Sequence, residues 1–267
     1  MRVVLTGSST GIGRAIAERL LAQGHAVWGL ARSPQDDLAA RYPEFFRGSL
    51  CDVGDWDQIT SVALSAGDWT SADALIACAG VQGEVGRTVT ADPAGWDETI
   101  RANLLGTFHA IRAFYSLLSR APRRGKIVCF SGGGATKSRA NFSAYGAAKT
   151  AVVRLVETIA EEEAGTALDI NAIAPGAINT RLTDEVIAQG PEQAGAAEYH
   201  AALKQKATGG GSMDRAVALV EWLISEHSDG ISGRLFSAPW DPWDKLGELR
   251  AKLEDPKSDL YRLRRTV

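Results

Sequence analysis

The segment that most constrains the fold is the start of the chain, where a strand pattern, a helix pattern and a second strand pattern follow one another. Residues 2–6 and 26–31 are short apolar runs of strand length. Between them, residues 13–22 carry apolar side chains three and four positions apart and precede Gly24, a common helix stop. Two strands joined by a helix in this way run parallel, with a right-handed crossover.

The same alternation continues along the chain. Further strand patterns and the longest helix patterns lie at residues 45–50, 74–77, 126–131, 168–174 and 234–237, and at 96–118 and 144–163. Parallel strands connected by helices form a sheet that is covered on both faces. The sequence therefore predicts an α/β fold, a doubly wound parallel sheet of the Rossmann type. It forms a single domain over residues 1–238 with a C-terminal extension over 239–267.

One segment interrupts the alternation. Residues 181–212 are rich in Gly, Gln and Ala and include three consecutive glycines at 209–211. Because an open α/β sheet binds ligands beyond the carboxyl ends of its strands, this segment is a candidate substrate lid. The alternative is a flexible surface loop with no role in binding.

The composition argues against several classes of partner. A formal net charge of -3 and a pI of about 5.9 do not suit a protein that binds nucleic acid through its phosphates. The chain has no charged-then-apolar leader, and no apolar run approaches the roughly 20 residues that a membrane span needs. Cys51, Cys78 and Cys129 lie in or beside predicted strands without metal-ligand spacing, which favours free core thiols in a reducing compartment. We therefore expect a cytoplasmic protein without a metal site.

Two residues with acid–base chemistry stand one helical turn apart. Tyr145 and Lys149 fall in the 144–163 helix pattern, so both face one side of that helix. A neighbouring ammonium favours the anionic form of a phenol, so the pair is suited to exchanging a proton near neutral pH. The alternative is an exposed lysine beside a half-buried tyrosine, with no catalytic role.

A glycine-rich turn links the first strand to the first helix. Glycines in this context let backbone amides approach a phosphate group at the N-terminus of the helix. The predicted phosphate-binding residues are Gly7, Ser9, Thr10, Gly11, Ile12 and Gly13.

Two further motifs accompany the glycine turn and the Tyr145–Lys149 pair. Asn103 lies in Asn-Leu-Leu-Gly, and residues 171–180 read Asn-Ala-Ile-Ala-Pro-Gly-Ala-Ile-Asn-Thr. The four motifs, in this order, resemble those of the short-chain dehydrogenase/reductase family over residues 2–237. The resemblance implies an NAD(P)-dependent oxidoreductase that interconverts a secondary alcohol and a ketone by hydride transfer.

The resemblance also implies individual roles. Tyr145 would exchange a proton with the substrate oxygen, and Lys149 would lower the pKa of Tyr145 and hold the nicotinamide ribose. Asn103 would hold a water molecule that links the lysine to solvent. The alternative for Asn103 is a helix-interior side chain turned toward a neighbouring carbonyl.

The sequence departs from the family at the serine that binds the substrate oxygen. The family places this serine 13 residues before the tyrosine, and Gly132 occupies that position here. We predict that Ser131 takes over the role, because the glycines after it could accommodate a shifted loop. The alternatives are that Ser131 points back into the sheet, that Ser138 or Ser143 substitutes for it, or that backbone amides alone polarise the carbonyl.

The end of the second strand bears on the choice of cofactor. Family members that use NAD carry an acidic residue where Ala31 stands, and here Arg32 and Ser33 follow it. A guanidinium offers planar donors to a phosphate, so NADP is favoured, with NAD as the alternative. Thr10 replaces a basic residue of many NADP users, and Arg32 could instead stack on adenine or point into solvent.

Further cofactor contacts follow from the resemblance. They fall to Asp52, Val53, Ala79, Gly80, Pro175, Gly176, Ile178 and Thr180. Cys78 stands where the family often has a structural asparagine, and we expect looser packing there rather than lost binding.

The C-terminal extension is a second departure from the family pattern. The Asp255-Pro256 break and the arginines at 262, 264 and 265 predict a helix followed by a basic tail. Trp240 and Trp243 act either as packing or subunit contacts or as a platform for a ring-shaped substrate such as a sugar.

Two classes of function follow from these observations. The first is an NADP-preferring oxidoreductase that acts on a small carbonyl or alcohol substrate. The second is a catalytically impaired dinucleotide-binding module, a sensor or scaffold, suggested by Gly132 and Cys78. Members of the family pair the helices predicted at 96–118 and 144–163, so we also expect a homodimer or homotetramer.

Overall fold

A computed structural model of the protein describes residues 1–265. Its centre is one sheet of seven parallel strands in the order β3-β2-β1-β4-β5-β6-β7. The strands are β1 (Arg2–Thr6), β2 (Ala26–Ala31), β3 (Phe46–Leu50), β4 (Ala74–Ala77), β5 (Gly125–Phe130), β6 (Leu168–Ala174) and β7 (Leu235–Ser237). The order reverses between β1 and β4, which is the point where such sheets open a crevice for ligands. The predicted fold class is confirmed.

Helices cover both faces of the sheet. They are α1 (Gly11–Ala22), α2 (Asp36–Arg41), α3 (Trp56–Leu64), α4 (Pro93–Ile100), α5 (Gly106–Leu118), α6 (Ser143–Glu162), α7 (Arg181–Ala188), α8 (Gly190–Ala194), α9 (Ala196–Thr208), α10 (Met213–Ile224) and α11 (Leu249–Glu254). Successive strand side chains point to opposite faces, so Val3 and Leu5 pack with α1 and α10 while Val4 packs with α5 and α6. Each face therefore has its own apolar core.

The predicted helix at 96–118 is interrupted. A π-helical turn, Arg101–Leu105, separates α4 from α5. Asn103 lies in this turn, and its side-chain amide donates to the carbonyl of Thr99, 3.0 Å away. Such turns are rare within α-helices and occur often at functional sites. The regular apolar spacing of the sequence gave no sign of the interruption.

The segment predicted as an irregular lid is helical over most of its length. Helices α7, α8 and α9 pack around a small apolar cluster of their own: Val85, Phe142, Val186, Ala194 and Ala202. Gly190 and Gly195, with φ of +70° and +83°, separate the three helices. Glycines at these left-handed positions break the helical period, which is why the sequence pattern looked irregular.

The C-terminal extension is fastened to the sheet by Arg234. This arginine is 1% exposed, and its guanidinium donates to the carbonyls of Leu253, Asp255, Ser258 and Leu260. Because the group is desolvated, burial lowers its pKa to about 10. The predicted helix of the extension is α11, which ends immediately before Asp255. Residues 266 and 267 of the predicted extension lie outside the described residues.

Other sequence expectations concern membranes, metals and thiols. Within residues 1–265, no helix combines the length and apolar character that a membrane crossing requires. The same residues contain no group of three or more His, Cys, Asp or Glu side chains placed to hold a metal ion. Cys51, Cys78 and Cys129 are free thiols, as predicted, and the first and third are buried.

Candidate active site

A cleft of about 910 Å³ opens at the carboxyl ends of the strands. The cleft brings together all of the residues that the sequence proposed for catalysis and cofactor binding. They are Gly7, Ser9, Thr10, Gly11, Ile12, Gly13, Arg32, Ser33, Asp52, Val53, Ala79, Gly80, Asn103, Ser131, Tyr145, Lys149, Pro175, Gly176, Ile178 and Thr180. Lining the same cleft does not by itself give each residue its predicted role, so the geometry of each part follows.

The glycine turn is shaped for close approach of a ligand. A Cβ atom on Gly13 would lie 2.2 Å from the carbonyl oxygen of Gly7, and a Cβ on Gly7 would lie 2.8 Å from the Cα of Ala79. Gly7 and Gly11 adopt φ of +73° and +56°, which favours glycine. No side chain caps the N-terminus of α1, so its amides remain available. The cradle fits the diphosphate of a dinucleotide.

At the other end of the cleft, Arg32 and Ser33 follow β2. Arg32 is exposed, and within residues 1–265 it has no ion-pair partner. Asp52, placed by the sequence near the adenine, is held by Arg101 at 3.1 Å and accepts a hydrogen bond from the amide of Gly54 at 2.9 Å. This end of the cleft therefore carries the guanidinium of Arg32, which is available to a ligand, and the carboxylate of Asp52, whose orientation is fixed by its hydrogen bonds.

Tyr145 and Lys149 both lie buried on the first turns of α6. The ammonium of Lys149 stands 5.5 Å from the centre of the Tyr145 ring and donates to the carbonyl of Phe130 at 3.1 Å. Burial lowers the pKa of Lys149 to about 8. Burial also raises the pKa of Tyr145, and the charge of Arg139 opposes this rise. The sequence predicted a lowered pKa for Tyr145, and without a ligand the larger effect is desolvation in the opposite direction.

Asn103 and Lys149 both approach Gly80. A Cβ atom on Gly80 would lie 2.7 Å from Oδ1 of Asn103 and 3.3 Å from Nζ of Lys149. The amide of Asn103 also donates to the carbonyl of Val81 at 3.0 Å, and its oxygen accepts from the amide of Val81 at 3.3 Å. The π turn thus anchors the loop after β4 directly beneath the lysine. Glycine at position 80 keeps the space between the two polar groups open.

The hydroxyl of Ser131 is hydrogen-bonded to the backbone of α6. It is buried and donates to the main-chain carbonyl of Lys149 at 3.1 Å, while the Ser131 amide donates to the carbonyl of Ile173 at 2.8 Å. Ser131 therefore continues the ladder of β5 and turns its hydroxyl toward α6. In this geometry the hydroxyl contacts α6, and the role of Ser131 at the substrate oxygen stays a prediction. The observed direction of the side chain follows from the sheet pairing, which extends through Ser131.

The position that faces Tyr145 is occupied by Gly132. A Cβ atom on Gly132 would lie 2.8 Å from the phenol oxygen of Tyr145. The two side-chain alternatives do not fill this place. Ser138 is exposed, and Ser143 accepts a hydrogen bond from the indole of Trp96 at 3.2 Å. Of the possibilities left open by the sequence, Ser131 and backbone amides remain the candidates for a second donor.

The cleft also contains charged residues that sequence reasoning missed. Arg139, in the loop before α6, contacts Oε2 of Glu198 through Nε and Nη2, each at 2.8 Å. Arg181 begins α7 and also lines the cleft. Arg139 and Glu198 are far apart in the chain, and no local spacing links them. Only the docking of α9 onto the loop before α6 brings them together.

The two tryptophans of the extension have different environments. Trp243 is 6% exposed and its indole donates to the carbonyl of Ala238 at 3.2 Å. Trp240 lines the cleft and is 85% exposed. Arg215 holds the turn between them by donating to the carbonyls of Ala238 and Asp241. Packing thus accounts for Trp243, and a rigid turn presents Trp240 at the mouth of the cleft.

Comparison with known proteins decides the family. The family model for short chain dehydrogenases matches residues 1–190, which is more than half of the 267 residues of the chain. This chain belongs to the short-chain dehydrogenase/reductase family. The resemblance noted from its four motifs is therefore confirmed.

Relatives within the short-chain dehydrogenase/reductase family include several reductases. Short-chain reductase protein NovJ of Streptomyces niveus is 33% identical over 189 residues, which is 68% of this chain and 71% of the relative. Levodione reductase of Leifsonia aquatica is 30% identical over 195 residues, 70% of this chain and 73% of the relative. The ligand-free structure of aldohexose dehydrogenase from Thermoplasma acidophilum superposes with a TM-score of 0.75 at 26% identity. It covers 88% of this chain and 91% of that chain.

Proposed function

We propose that this oxidoreductase of the short-chain dehydrogenase/reductase family prefers NADP and reduces a ketone to a secondary alcohol, with Tyr145 as the general acid. The observation that carries the proposal is the convergence of Tyr145, Lys149 and Asn103 on a cleft that also contains the glycine cradle. A protein that only bound a dinucleotide would have no use for a buried phenol beside an ammonium. A bound nicotinamide cofactor would supply the hydride.

The residues of the chain would divide the remaining work. The phenol of Tyr145 donates a proton to the substrate oxygen as the carbonyl is reduced. Lys149 is fixed by its hydrogen bond to Phe130 and offers its other donors to the nicotinamide ribose. Asn103 holds the loop after β4 beside Gly80 and would hold a water molecule that links Lys149 to solvent, so that the proton can be replaced.

Two observations support the reducing direction. Burial raises the pKa of Tyr145 above that of an ordinary phenol, near ~10, so the group is protonated and ready to donate at neutral pH. Two of the relatives carry the names of reductases, and one of these names a dione as the substrate. Both favour a ketone as the species that binds beside Tyr145.

The preference for NADP rests on Arg32. Nothing acidic stands at Ala31 to repel a phosphate on the adenine ribose, and Arg32 is exposed at the same end of the cleft. Replacing Arg32 by Ala should weaken NADPH binding by about 1.5–3 kcal/mol, the range for hydrogen bonds to charged groups, and leave NADH binding unchanged. Equal losses for the two cofactors would show that Arg32 does not read the 2′-phosphate.

We also propose a homo-oligomer. Leu105, Phe108 and Tyr115 are 41%, 44% and 37% exposed on one side of α5 and the turn before it. They share one face with the exposed Arg112, on a helix that the sequence expected at a subunit contact. Sedimentation of the purified chain beside a Phe108→Glu variant would test this, because replacing an apolar contact by a carboxylate that becomes buried between subunits should shift the population to monomer.

One observation favours the second candidate, a dinucleotide-binding module with impaired turnover. Gly132 has no side-chain donor, and the hydroxyl of Ser131 donates to the carbonyl of Lys149. Loss of one such donor typically costs about 10²- to 10³-fold in rate, which is a large loss but not an absence of catalysis.

A single experiment separates the two candidates. The protein is incubated with NADPH and a panel of ketones, sugars and quinones, and nicotinamide absorbance is followed beside the Tyr145→Phe variant. Turnover by the wild type that falls steeply in the variant, with NADPH affinity kept within a few-fold, supports the reductase. Tight NADPH binding without turnover of any carbonyl would support the binding module. Turnover that is unchanged in Tyr145→Phe would remove Tyr145 from the mechanism.

A further inference from the structure

A smaller cavity of about 320 Å³ adjoins the main cleft. Arg32 and Arg181 line both cavities, and Glu185 and Gln189 of α7 line the smaller one. Two guanidinium groups therefore border the same small space from different parts of the chain. Like charges that share a cavity repel one another unless an anion lies between them.

The two arginines approach from opposite halves of the sheet. Arg32 follows β2, whereas Arg181 follows β6 through Thr180. The sheet order reverses between these halves, and a dinucleotide lies across that reversal. A Cβ atom on Gly11 would lie 3.5 Å from the methyl group of Thr180, so the segment that leads into α7 passes directly over the glycine turn. Arg181 is thus next in sequence to a residue that covers the phosphate cradle.

Neither arginine is held tightly in the structure. Among the described residues, the only ion-pair partner of Arg181 is Glu185, one turn along α7, at 3.0 Å. The side chains of this pair are 57% and 35% exposed, and exposed pairs of this kind contribute little. Arg32 has no such partner within residues 1–265. Arg181 can therefore leave Glu185 and bind a more highly charged anion at a small cost in free energy.

We propose that Arg181 binds the diphosphate of the dinucleotide from the lid side, opposite the amides at the N-terminus of α1. The inference rests on the proposed function, because it needs a dinucleotide in the cleft. Arg32 then recognises the adenine end while Arg181 recognises the part that NADPH and NADH share. Since α7 packs with α8 and α9 in one cluster, cofactor binding through Arg181 also draws the lid helices over the substrate.

The test measures dissociation constants of NADPH and NADH by fluorescence titration of the full chain. Arg181→Ala should raise the dissociation constants of NADPH and NADH by about tenfold, the scale of one hydrogen bond between charged groups. Arg181→Lys should recover part of the loss, because it keeps the charge without the planar fork. Lys204→Ala, which removes an exposed cation of α9 outside both cavities, is the matched control and should leave both constants unchanged.

A second variant should act in the opposite direction. Glu185→Gln removes the carboxylate that competes for Arg181. It should therefore lower the dissociation constants of both cofactors by about two- to threefold, the scale of an exposed ion pair on a helix. Binding of a cofactor should also slow proteolysis within 181–208 in the wild type and not in Arg181→Ala.

The outcomes distinguish this inference from the proposed function. Unchanged dissociation constants of both cofactors in Arg181→Ala would overturn the inference. The proposed function would still stand in that case if the wild type reduced a ketone. If Arg181→Ala weakened the binding of NADPH but not of NADH, Arg181 would be assigned to the 2′-phosphate, and the inference about the diphosphate would be overturned. A wild type that bound neither cofactor would reject both proposals together.

Discussion

The phenol oxygen of Tyr145 lies against the backbone of Gly132, only 2.8 Å from the point where any other residue would place its Cβ. The absence of a side chain at position 132 therefore does more than remove a hydrogen-bond donor. It creates the space in which the Tyr145 hydroxyl rests. A side chain introduced at position 132 therefore requires the phenol or the Gly132 backbone to shift.

The first prediction concerns this space. Gly132→Ala adds the Cβ without a hydroxyl, and displacement of the phenol should lower turnover by about tenfold or more, since misplacement by 1 Å can cost 10²-fold. Gly132→Ser shares the same clash, so its comparison with the Ala variant isolates the hydroxyl. Turnover numbers of the three proteins with one ketone give the result. A serine variant faster than wild type would show that the missing donor matters more than the clash.

The second prediction concerns Ser131. Because its hydroxyl donates to the carbonyl of Lys149, Ser131→Ala should cost about 1 kcal/mol of folding free energy and change turnover only a few-fold. Urea denaturation and steady-state kinetics on the same preparation measure both effects. A loss of 10²-fold or more in turnover at unchanged stability would restore Ser131 to the reaction.

The third prediction uses the lowered pKa of Lys149. Burial brings this pKa to about 8, so above that pH a growing share of the free protein carries a neutral amine. The ribose hydroxyls and the negative charge of NADPH favour the charged amine, so binding at about pH 8.5 should take up a fraction of a proton. Affinity should accordingly fall as the pH rises through 8.

Calorimetry in two buffers of different ionisation enthalpy measures this uptake. Lys149→Met is the control, because it has no proton to gain. At about pH 6.5 Lys149 is already charged in both states, so its share of the uptake should vanish. The same uptake in the wild type and in Lys149→Met at the higher pH would mean that another group titrates.

The fourth prediction separates the two tryptophans of the extension. Trp240→Ala should raise KM for a ring-bearing ketone such as 2-tetralone by about three- to tenfold, the scale of one stacking contact, without lowering stability. Its KM for acyclic 2-butanone should not change. Trp243→Ala should instead cost about 3–5 kcal/mol of stability, because Trp243 is buried. Equal effects of Trp240→Ala on both ketones would argue against a platform for rings.

The fifth prediction concerns Arg234. Arg234→Met keeps much of the side-chain volume but leaves four carbonyls without their donor, in one buried and three partly buried contacts. Each buried unsatisfied carbonyl costs about 1–3 kcal/mol of folding free energy. The extension should therefore detach from the sheet, or the stability of the whole protein should fall by several kcal/mol. Lys252→Met, at an exposed position of α11, is the control and should be neutral. Equal urea midpoints for the two variants would contradict the role given to Arg234.

The sequence was most informative where local chemistry and local structure coincide. The strand pattern located all seven strands to within two residues at each end, since buried parallel strands are continuous apolar runs. The glycine turn was equally readable because the positive φ angles of Gly7 and Gly11 are properties of the residue type.

The failures arose where tertiary contacts decide the outcome. The direction of the Ser131 hydroxyl depends on the length of the β5 ladder, which is set by pairing with β6 and which local spacing does not reveal. The π turn at Asn103 depends on side-chain contacts with the loop after β4, which apolar spacing does not reveal. Arg139 and Arg181 enter the cleft only because the lid helices pack around Phe142.

The tail that Arg234 fastens has a consequence for association of the folded chain. β7 is the last strand of the sheet, and the carbonyl of Tyr261 accepts a hydrogen bond from the amide of Leu235 at 2.8 Å. Exposed edge strands are templates for strand addition and aggregation, and covering them is a common protection. The extension therefore covers this edge strand, and shortening the chain before Tyr261 should expose β7 and lead to association of chains through that edge.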